Sequence, residues 1–225
     1  LDGATVTTGY VSLGHYQGLG SGMMEIGEGA LVNVGIQLAI ERSSEATLVA
    51  SGTIAGNGNV LVNAGGRLSG NGAIEADVTN FGGVEATPGE SMRISGDYEQ
   101  RAPATLNFSG TFAASIQDEQ TWGAIQSTDE AELGGLLDLT VDPAYIPAQG
   151  TQWPVLTAGE GITGVFDVAL ITGLPDDMYA DIVYSNALRG GDEETVTVVF
   201  GSLENPLGFD PPTPVTLDSP PAAML

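Results

Sequence analysis

Ile54-Ala-Gly-Asn-Gly-Asn-Val60 is followed by Leu68-Ser-Gly-Asn-Gly-Ala-Ile74, and the two stretches share one outline. Each places a Gly-Asn-Gly corner between two apolar residues. A second element repeats in the same way, because Asn63-Ala-Gly-Gly66 reappears as Asn80-Phe-Gly-Gly83. The second offset is slightly longer than the first, because Glu75-Ala-Asp77 is inserted between the two elements in the later copy. A short period of this kind predicts stacked units that bury a core only against their neighbours.

The stretch before this repeat has an apolar residue at every second position. The residues at these alternate positions are Ala30, Val32, Val34, Ile36, Leu38 and Ile40. Period two predicts a strand with one buried face and one solvated face. The other apolar runs are shorter and are bounded by Gly, Asn, Ser or Asp, which favour turns. Short strands with repeating corners favour an all-β fold of the solenoid type, a right-handed parallel β-helix, over a sandwich with its longer strands.

The character of the sequence changes twice along the chain. Residues 1–112 contain the repeats and are predicted to form β-helix coils. Residues 113–200 have longer, more aromatic strand segments, including 182–184 and 195–200 around a hairpin-like Arg189-Gly-Gly-Asp192 turn, and are predicted to form a β-rich C-terminal cap. Residues 201–225 are rich in proline and are predicted to be a tail or linker. The chain opens at Leu1 in a strand-like pattern, so an N-terminal region is expected to have been removed or to be missing.

The charge balance excludes several classes of partner. The 225 residues include 29 acidic and only 5 basic ones, for a formal charge of −24, and such a chain repels nucleic acid and anionic membrane surfaces. It has no Cys, and no apolar run approaches the roughly 20 residues of a membrane-spanning helix. Neither nucleic-acid binding nor membrane insertion is therefore expected.

Three local groups of acidic residues are the candidate cation sites. These are Asp129-Glu130-x-Glu132, Asp176-Asp177-x-x-x-Asp181 and Asp192-Glu193-Glu194. A solvated surface explains them more simply than a dedicated metal site. No cofactor is predicted beyond weak Ca²⁺ binding by these groups.

No residue pattern points clearly to catalysis. Asp177 and Asp181 could form the carboxylate pair of an inverting glycosidase, although a solvated turn is the simpler explanation. His15 is the only histidine, which leaves a Ser-His-Asp or His-rich metal site without support. Trp122 and Trp153 could stack on sugars, but such residues more often fill a core. The prediction is a protein that is not an enzyme, with no catalytic, cofactor-binding or metal-binding residues.

Part of the sequence resembles the β-helix repeats of bacterial autotransporter passengers. The matching residues are Leu68-Ser-Gly-Asn-Gly-Ala-Ile74, Val78-Thr-Asn80, Gly83-Val84, Pro88-Gly89-Glu-Ser91 and Gly96-Asp-Tyr98-Glu-Gln100. Two later runs, Ala131-Glu-Leu-Gly-Gly-Leu-Leu137 and Trp153-Pro-Val-Leu-Thr-Ala-Gly159, are similar to the segment that closes such helices. The resemblance implies export by a bacterium to the cell surface or the exterior, and it carries over no catalytic residue.

The predicted function is that of an extracellular structural or adhesive surface protein without catalysis. Self-association through the β-helix ends or the Pro-rich tail is expected, because end coils present unpaired strand edges. The specific version is head-to-tail association into a fibre or layer. A glycan or another cell-surface ligand is a further candidate partner. The alternative is a polysaccharide-binding or polysaccharide-degrading protein on the same β-helix.

Overall fold

The computed structural model describes residues 1–14, 20–48, 52–89, 91–101, 110–185 and 193–202. All regular secondary-structure elements in this part of the chain are β-strands, which confirms the all-β class. Within the same residues, no helix is long and apolar enough to cross a membrane. The strands are β1 (Thr5–Leu13), β2 (Met23–Ile26), β3 (Leu31–Ile40), β4 (Glu45–Leu48), β5 (Thr53–Ala55), β6 (Asn59–Val62), β7 (Arg67–Gly70), β8 (Ala73–Ile74), β9 (Val78–Asn80), β10 (Gly83–Ala86), β11 (Met92–Ile94), β12 (Tyr98–Gln100), β13 (Thr111–Ile116), β14 (Ile125–Ser127), β15 (Glu130–Leu133), β16 (Leu136–Val141), β17 (Gln152–Ala158), β18 (Gly161–Gly164), β19 (Val168–Thr172), β20 (Met178–Ser185) and β21 (Glu194–Ser202).

The strands stack in three ladders of parallel pairs. The first ladder runs β3–β5–β8–β11–β14–β17 and the second runs β3–β6–β9–β12–β15–β18, because β3 is long enough to serve both. The third ladder, β2–β4–β7–β10–β13–β16–β19, forms a separate sheet. The chain visits the three ladders in turn, and we call one such passage a circuit. Neighbours in a ladder come from successive circuits, so each circuit lies about 4.8 Å from the one before.

Side chains from all three ladders form one buried apolar cluster. Equivalent positions of successive circuits are stacked in it. In the first ladder, Val32 pairs with Ile54, Ile54 with Ile74, and Ile74 with Ile94, and all four are buried. Because each short strand contributes only one or two inward side chains, no circuit has a core of its own, and burial comes from stacking.

The alternation predicted for residues 30–40 fails at one position. Val34 and Leu38 are buried as expected, whereas Ile36 is 70% exposed. Here β3 passes from the first ladder to the second, and Gly35 and Ile36 form the corner, where both are exposed. The prediction that Ile36 belongs to the buried face is therefore wrong, because the period of two is interrupted where the chain bends.

The two Gly-Asn-Gly stretches lie at different corners of the circuit. Residues 56–58 join β5 to β6, whereas Gly70 ends β7 and residues 71–72 join β7 to β8. Both turns begin with a glycine at positive φ, 119° at Gly56 and 126° at Gly70, so they share turn chemistry without being stacked. The Asn-x-Gly-Gly stretches, in contrast, both connect the second ladder to the third. The offset between the two Gly-Asn-Gly stretches is therefore not the length of a circuit, since Ile54 pairs with Ile74 and not with its sequence counterpart Leu68.

Parallel pairing continues beyond residue 112, the predicted end of the coils, as far as β19. The circuits become longer there. Ile94 pairs with Ile74 of the preceding circuit and with Ser127 of the following one, and Ser127 is much further from Ile94 along the chain than Ile74 is. Antiparallel pairing begins with β20 and β21, of which β21 pairs with β17 and β20 pairs with β21. The predicted strand segments 182–184 and 195–200 fall within these two strands, and the predicted turn at 189–192 lies outside the described residues. The strand β21 includes the first two residues of the predicted tail, and residues 203–225 are not among those described.

Candidate functional site

At the N-terminal end of the ladders, which we call the open end, one strand edge has no partner among the described residues. Among the described strands, β1 pairs only with β3, and β2 only with β4. The outer edge of β2 is partly occupied, because Leu1 N donates to Glu25 O (3.0 Å) and Leu1 O accepts from Gly27 N (2.6 Å). No described segment covers the outer edge of β1. Within the described residues, the backbone donors and acceptors of this edge have no strand partner.

Side chains of β1 at inward positions are only partly covered. Val6 pairs with Val32, but Val6 is 36% exposed and Val32 only 1%. Val11 and Leu13 pair with the fully buried Leu38 and Ile40, and both are half-buried. The open end thus presents apolar side chains that every later circuit would bury.

The C-terminal end of the first ladder, which we call the covered end, is covered by β21 and β20, whereas the second and third ladders end at β18 and β19 with no further described strand. The Glu194 carboxylate accepts a hydrogen bond from Ile162 N in β18 (2.6 Å), and the Tyr184 hydroxyl accepts one from Phe166 N (3.1 Å). Ala180 and Ile182 of β20 pack against the buried cluster. Burial raises the pKa of Tyr184. Side chains of the last two strands therefore satisfy backbone donors of the final circuit. The sequence did not reveal this role for Glu194, which was interpreted as one member of an acidic group.

Three aromatic rings anchor the covered end. Trp153 is fully buried and packs edge to face against Phe200 (centroids 4.7 Å apart) and Tyr145 (5.9 Å). Its Nε1 donates to Asp118 O (3.2 Å). Trp122 is half-buried and donates from Nε1 to Pro154 O (3.0 Å). The geometry of Trp153 is that of a core side chain, since no face of its ring is open to a sugar.

A buried polar network crosses the corner between the second and third ladders. Asn80 Nδ2 donates to Thr111 O (3.0 Å), and Asn80 Oδ1 accepts from Gly82 N (2.9 Å). The Tyr98 hydroxyl donates to Gln100 Oε1 (2.8 Å), and Gln100 Nε2 donates to Gly134 O (2.8 Å) and Leu136 O (3.1 Å). Three successive circuits are joined in this way. The alternation Tyr98-x-Gln100 after Asn80-x-Gly-Gly was visible in the sequence, but not its burial.

The buried Tyr98 hydroxyl is expected to lower the free energy of unfolding as the pH rises into the alkaline range. Burial raises the pKa of the Tyr98 hydroxyl, and the hydrogen bond with Asn80 lowers it by a smaller amount. Above pH 10 the unfolded chain loses this proton while the folded chain keeps it, so we expect the free energy of unfolding to fall by about 1 kcal/mol per pH unit. Urea unfolding at pH 8 to 11 measures this slope. In Tyr98→Phe the slope should be shallower, and an unchanged slope would contradict the assignment.

The predicted acidic groups lie on the surface wherever the structure describes them. Glu130 and Glu132 line a shallow cleft of about 250 Å³ beside the second ladder, together with Asp77, Asp97 and Glu99. Asp77 Oδ1 accepts from Asp97 N (3.1 Å), and Asp97 Oδ1 accepts from Glu130 N (3.2 Å), so these two aspartates bridge successive circuits. In the described part of the chain, no three His, Cys, Asp or Glu side chains are placed to hold a metal ion. Weak Ca²⁺ binding stays a prediction.

The predicted catalytic candidates are exposed or lie outside the described residues. Asp177 is exposed in the turn before β20, and Asp181 is exposed on β20. His15 and Asp192 are not among the described residues.

A broad groove of about 620 Å³ runs along the outer face of the third ladder. Small residues of β10 and β13, including Gly83 and Ala113, line it. Arg67 contacts Glu85 and lies 3.9 Å from Glu45, so its charge is already balanced. The groove offers a polar surface without a cluster of catalytic groups.

The chain matches no protein-family model and no curated protein sequence.

Proposed function

We propose that the three ladders are the faces of a right-handed parallel β-helix with a β-rich C-terminal cap. Each circuit would be one coil. The repeated passage through three parallel ladders supports this proposal, and crossovers between parallel strands are right-handed in about 98% of cases. The hydrogen bonds from Glu194 and Tyr184 to the last circuit support the cap.

On this scaffold we propose an extracellular structural or adhesive protein of a bacterial surface, without catalysis, that associates with itself. The observation that carries the proposal is that strands at the ends of the ladders, among them β18 and β19, have an outer edge with which no other described strand pairs. An uncovered strand edge with half-buried apolar side chains is a surface on which another strand can be added. The resemblance to autotransporter passengers and the charge of −24, which keeps an exported protein hydrated, support the location.

Sedimentation velocity over a hundredfold range of protein concentration tests self-association. We expect the sedimentation coefficient to rise with concentration, because the free edge is exposed in the monomer. A variant that ends at Ser202 keeps β21 and removes only the Pro-rich tail, so it separates association through the β-helix ends from association through the tail. A sedimentation coefficient independent of concentration in both proteins would contradict the proposal.

The groove on the third ladder is the observation that favours polysaccharide binding as a second candidate. Its hydroxyl groups, including Thr111, Ser115 and Thr140, can bond sugar hydroxyls across successive circuits. Binding to a glycan array would support this function.

A further inference from the structure

We infer that the groove on the third ladder binds a neutral polysaccharide, with one sugar ring lying on Ala113. This inference rests on polysaccharide binding, the second candidate function, and adds the position and the chemical class of the ligand. Four polar side chains surround Ala113 on the outer face of the ladder, and we call them the frame. They are Glu85, Thr111, Ser115 and Asp138.

Two carboxylates lie on opposite sides of Ala113 across the strands. Ala113 in β13 pairs with Glu85 in β10 and with Asp138 in β16. Each of the three lies between two buried residues of its own strand, so all three side chains point outward. Neighbouring strands are about 4.8 Å apart, which places the Glu85 and Asp138 backbones roughly 10 Å apart with only a methyl group between them. Both carboxylates can accept hydrogen bonds from the hydroxyls of a ring on Ala113.

Two hydroxyls complete the frame along the strand. Thr111 and Ser115 are each two residues from Ala113, so their side chains point to the same face at roughly 7 Å on either side. A hydroxyl both donates and accepts hydrogen bonds. The apolar centre at Ala113 can contact the C–H groups of a sugar ring while the four polar groups bind its hydroxyls. Such a combination of apolar surface and few polar groups is typical of small-molecule sites.

The carboxylate of Glu85 is held in place before any ligand binds. Arg67 contacts it from the neighbouring strand β7, and the Glu85 side chain is only 28% exposed. A side chain that is already ordered loses less conformational freedom on binding. Glu85 is therefore a preorganised acceptor on one side of the frame.

The charge of the groove favours a neutral ligand over an anionic one. Its lining contains one cationic side chain, Arg67, and two carboxylates, Glu85 and Asp138. Arg67 is occupied by Glu85 and lies near Glu45, so it offers little attraction to the carboxylate of a uronic acid. The chain as a whole carries −24, which adds to the repulsion. Hydroxyl-bearing neutral sugars avoid this cost.

The groove is longer than one sugar ring. Its lining includes residues of β7, β10, β13 and β16, four successive strands of the third ladder, which span roughly 14 Å. On the side towards β7, the position opposite Thr111 is Gly83, which has no side chain to block a neighbouring ring. The ligand is therefore a chain of sugars and not a single one.

Two matched leucine variants test the position of the site. Ala113→Leu fills the centre of the frame, and Ala73→Leu makes the same change on the first ladder, where Ala73 is also half-buried and pairs with Thr53. The probes are neutral hexasaccharides of glucose, mannose, xylose or galactose, and isothermal titration calorimetry of the full chain gives their dissociation constants. For the hexasaccharide that binds most tightly, we expect Ala113→Leu to weaken binding at least about tenfold and Ala73→Leu to leave it unchanged.

Two matched alanine variants test the frame itself. Asp138→Ala removes one of its acceptors, and Asp181→Ala removes an exposed carboxylate of β20, far along the chain from the groove. We expect at least about a tenfold loss of affinity for Asp138→Ala and none for Asp181→Ala. Hexagalacturonate, the anionic comparison, should bind the unchanged protein at least about tenfold more weakly than the best neutral hexasaccharide. Circular dichroism checks that all four variants fold.

The outcomes separate this inference from the function on which it rests. Neutral hexasaccharide binding that is lost with Ala113→Leu and Asp138→Ala, and kept with Ala73→Leu and Asp181→Ala, supports it. Binding that survives both groove variants, or a preference for hexagalacturonate, would overturn the inference and leave polysaccharide binding standing. A protein that binds neither the hexasaccharides nor any member of a glycan array would overturn both.

Discussion

Replacing Trp153 by alanine is expected to lower the free energy of unfolding by about 4 kcal/mol. The side chain is fully buried, and its removal leaves a cavity between Phe200 and Tyr145 and abolishes the hydrogen bond to Asp118 O. Since Trp153 lies on β17, which joins the parallel ladders to β21, the loss should loosen the covered end first. Urea unfolding followed by far-ultraviolet circular dichroism measures the total effect. Hydrogen exchange of the β21 amides shows whether this end opens before the rest.

Trp122→Ala is the matched control for this prediction. It also removes an indole and one hydrogen bond to a backbone carbonyl, but Trp122 is only half-buried. We therefore expect about half the loss in stability. Equal losses for the two variants would contradict the assignment of Trp153 as the anchor of the covered end.

Replacing Asn80 by alanine should cost about 3 kcal/mol, because the change leaves Gly82 N and Thr111 O without their side-chain partner inside the protein. Each buried unsatisfied group costs about 1–3 kcal/mol. The network through Tyr98 and Gln100 loses a donor as well. The midpoint of urea unfolding measures the loss.

Asn63→Ala provides the comparison, because Asn63 also lies between the second and third ladders, one circuit earlier. It is half-buried, and its Nδ2 donates to Glu41 Oε2 (3.1 Å). A cost below about 1 kcal/mol is expected there. If the two variants were equally destabilised, the network at Asn80 would have no special role in joining circuits.

Local signals in the sequence predicted the strands well. The alternation around Val34 and Leu38 identified a half-buried strand, and the Gly-Asn-Gly stretches marked turns. Which corner each turn occupies could not be predicted, because Gly56 and Gly70 satisfy the same requirement for positive φ at different places in the circuit. Burial at Ile36 was predicted wrongly for a related reason, since a period of two does not show where a strand bends.

The candidate site could not be predicted to the same extent. That end strands have free edges follows from stacking, but which edge is covered depends on β21 turning back onto β17, a contact between distant residues. Glu194 illustrates the difficulty. In the sequence it is one of several neighbouring acids, and only the fold brings its carboxylate to Ile162 N.

Unequal circuit lengths have an evolutionary consequence. In the second ladder Tyr98 pairs with Val78 on one side and with Ala131 on the other, although Ala131 is much further from it along the chain. Insertions can therefore accumulate in the connections while the strands stay in register. As such insertions accumulate in a lineage, the constant spacing between repeats is lost long before the stacked core is. The members of that lineage then become hard to recognise from sequence alone.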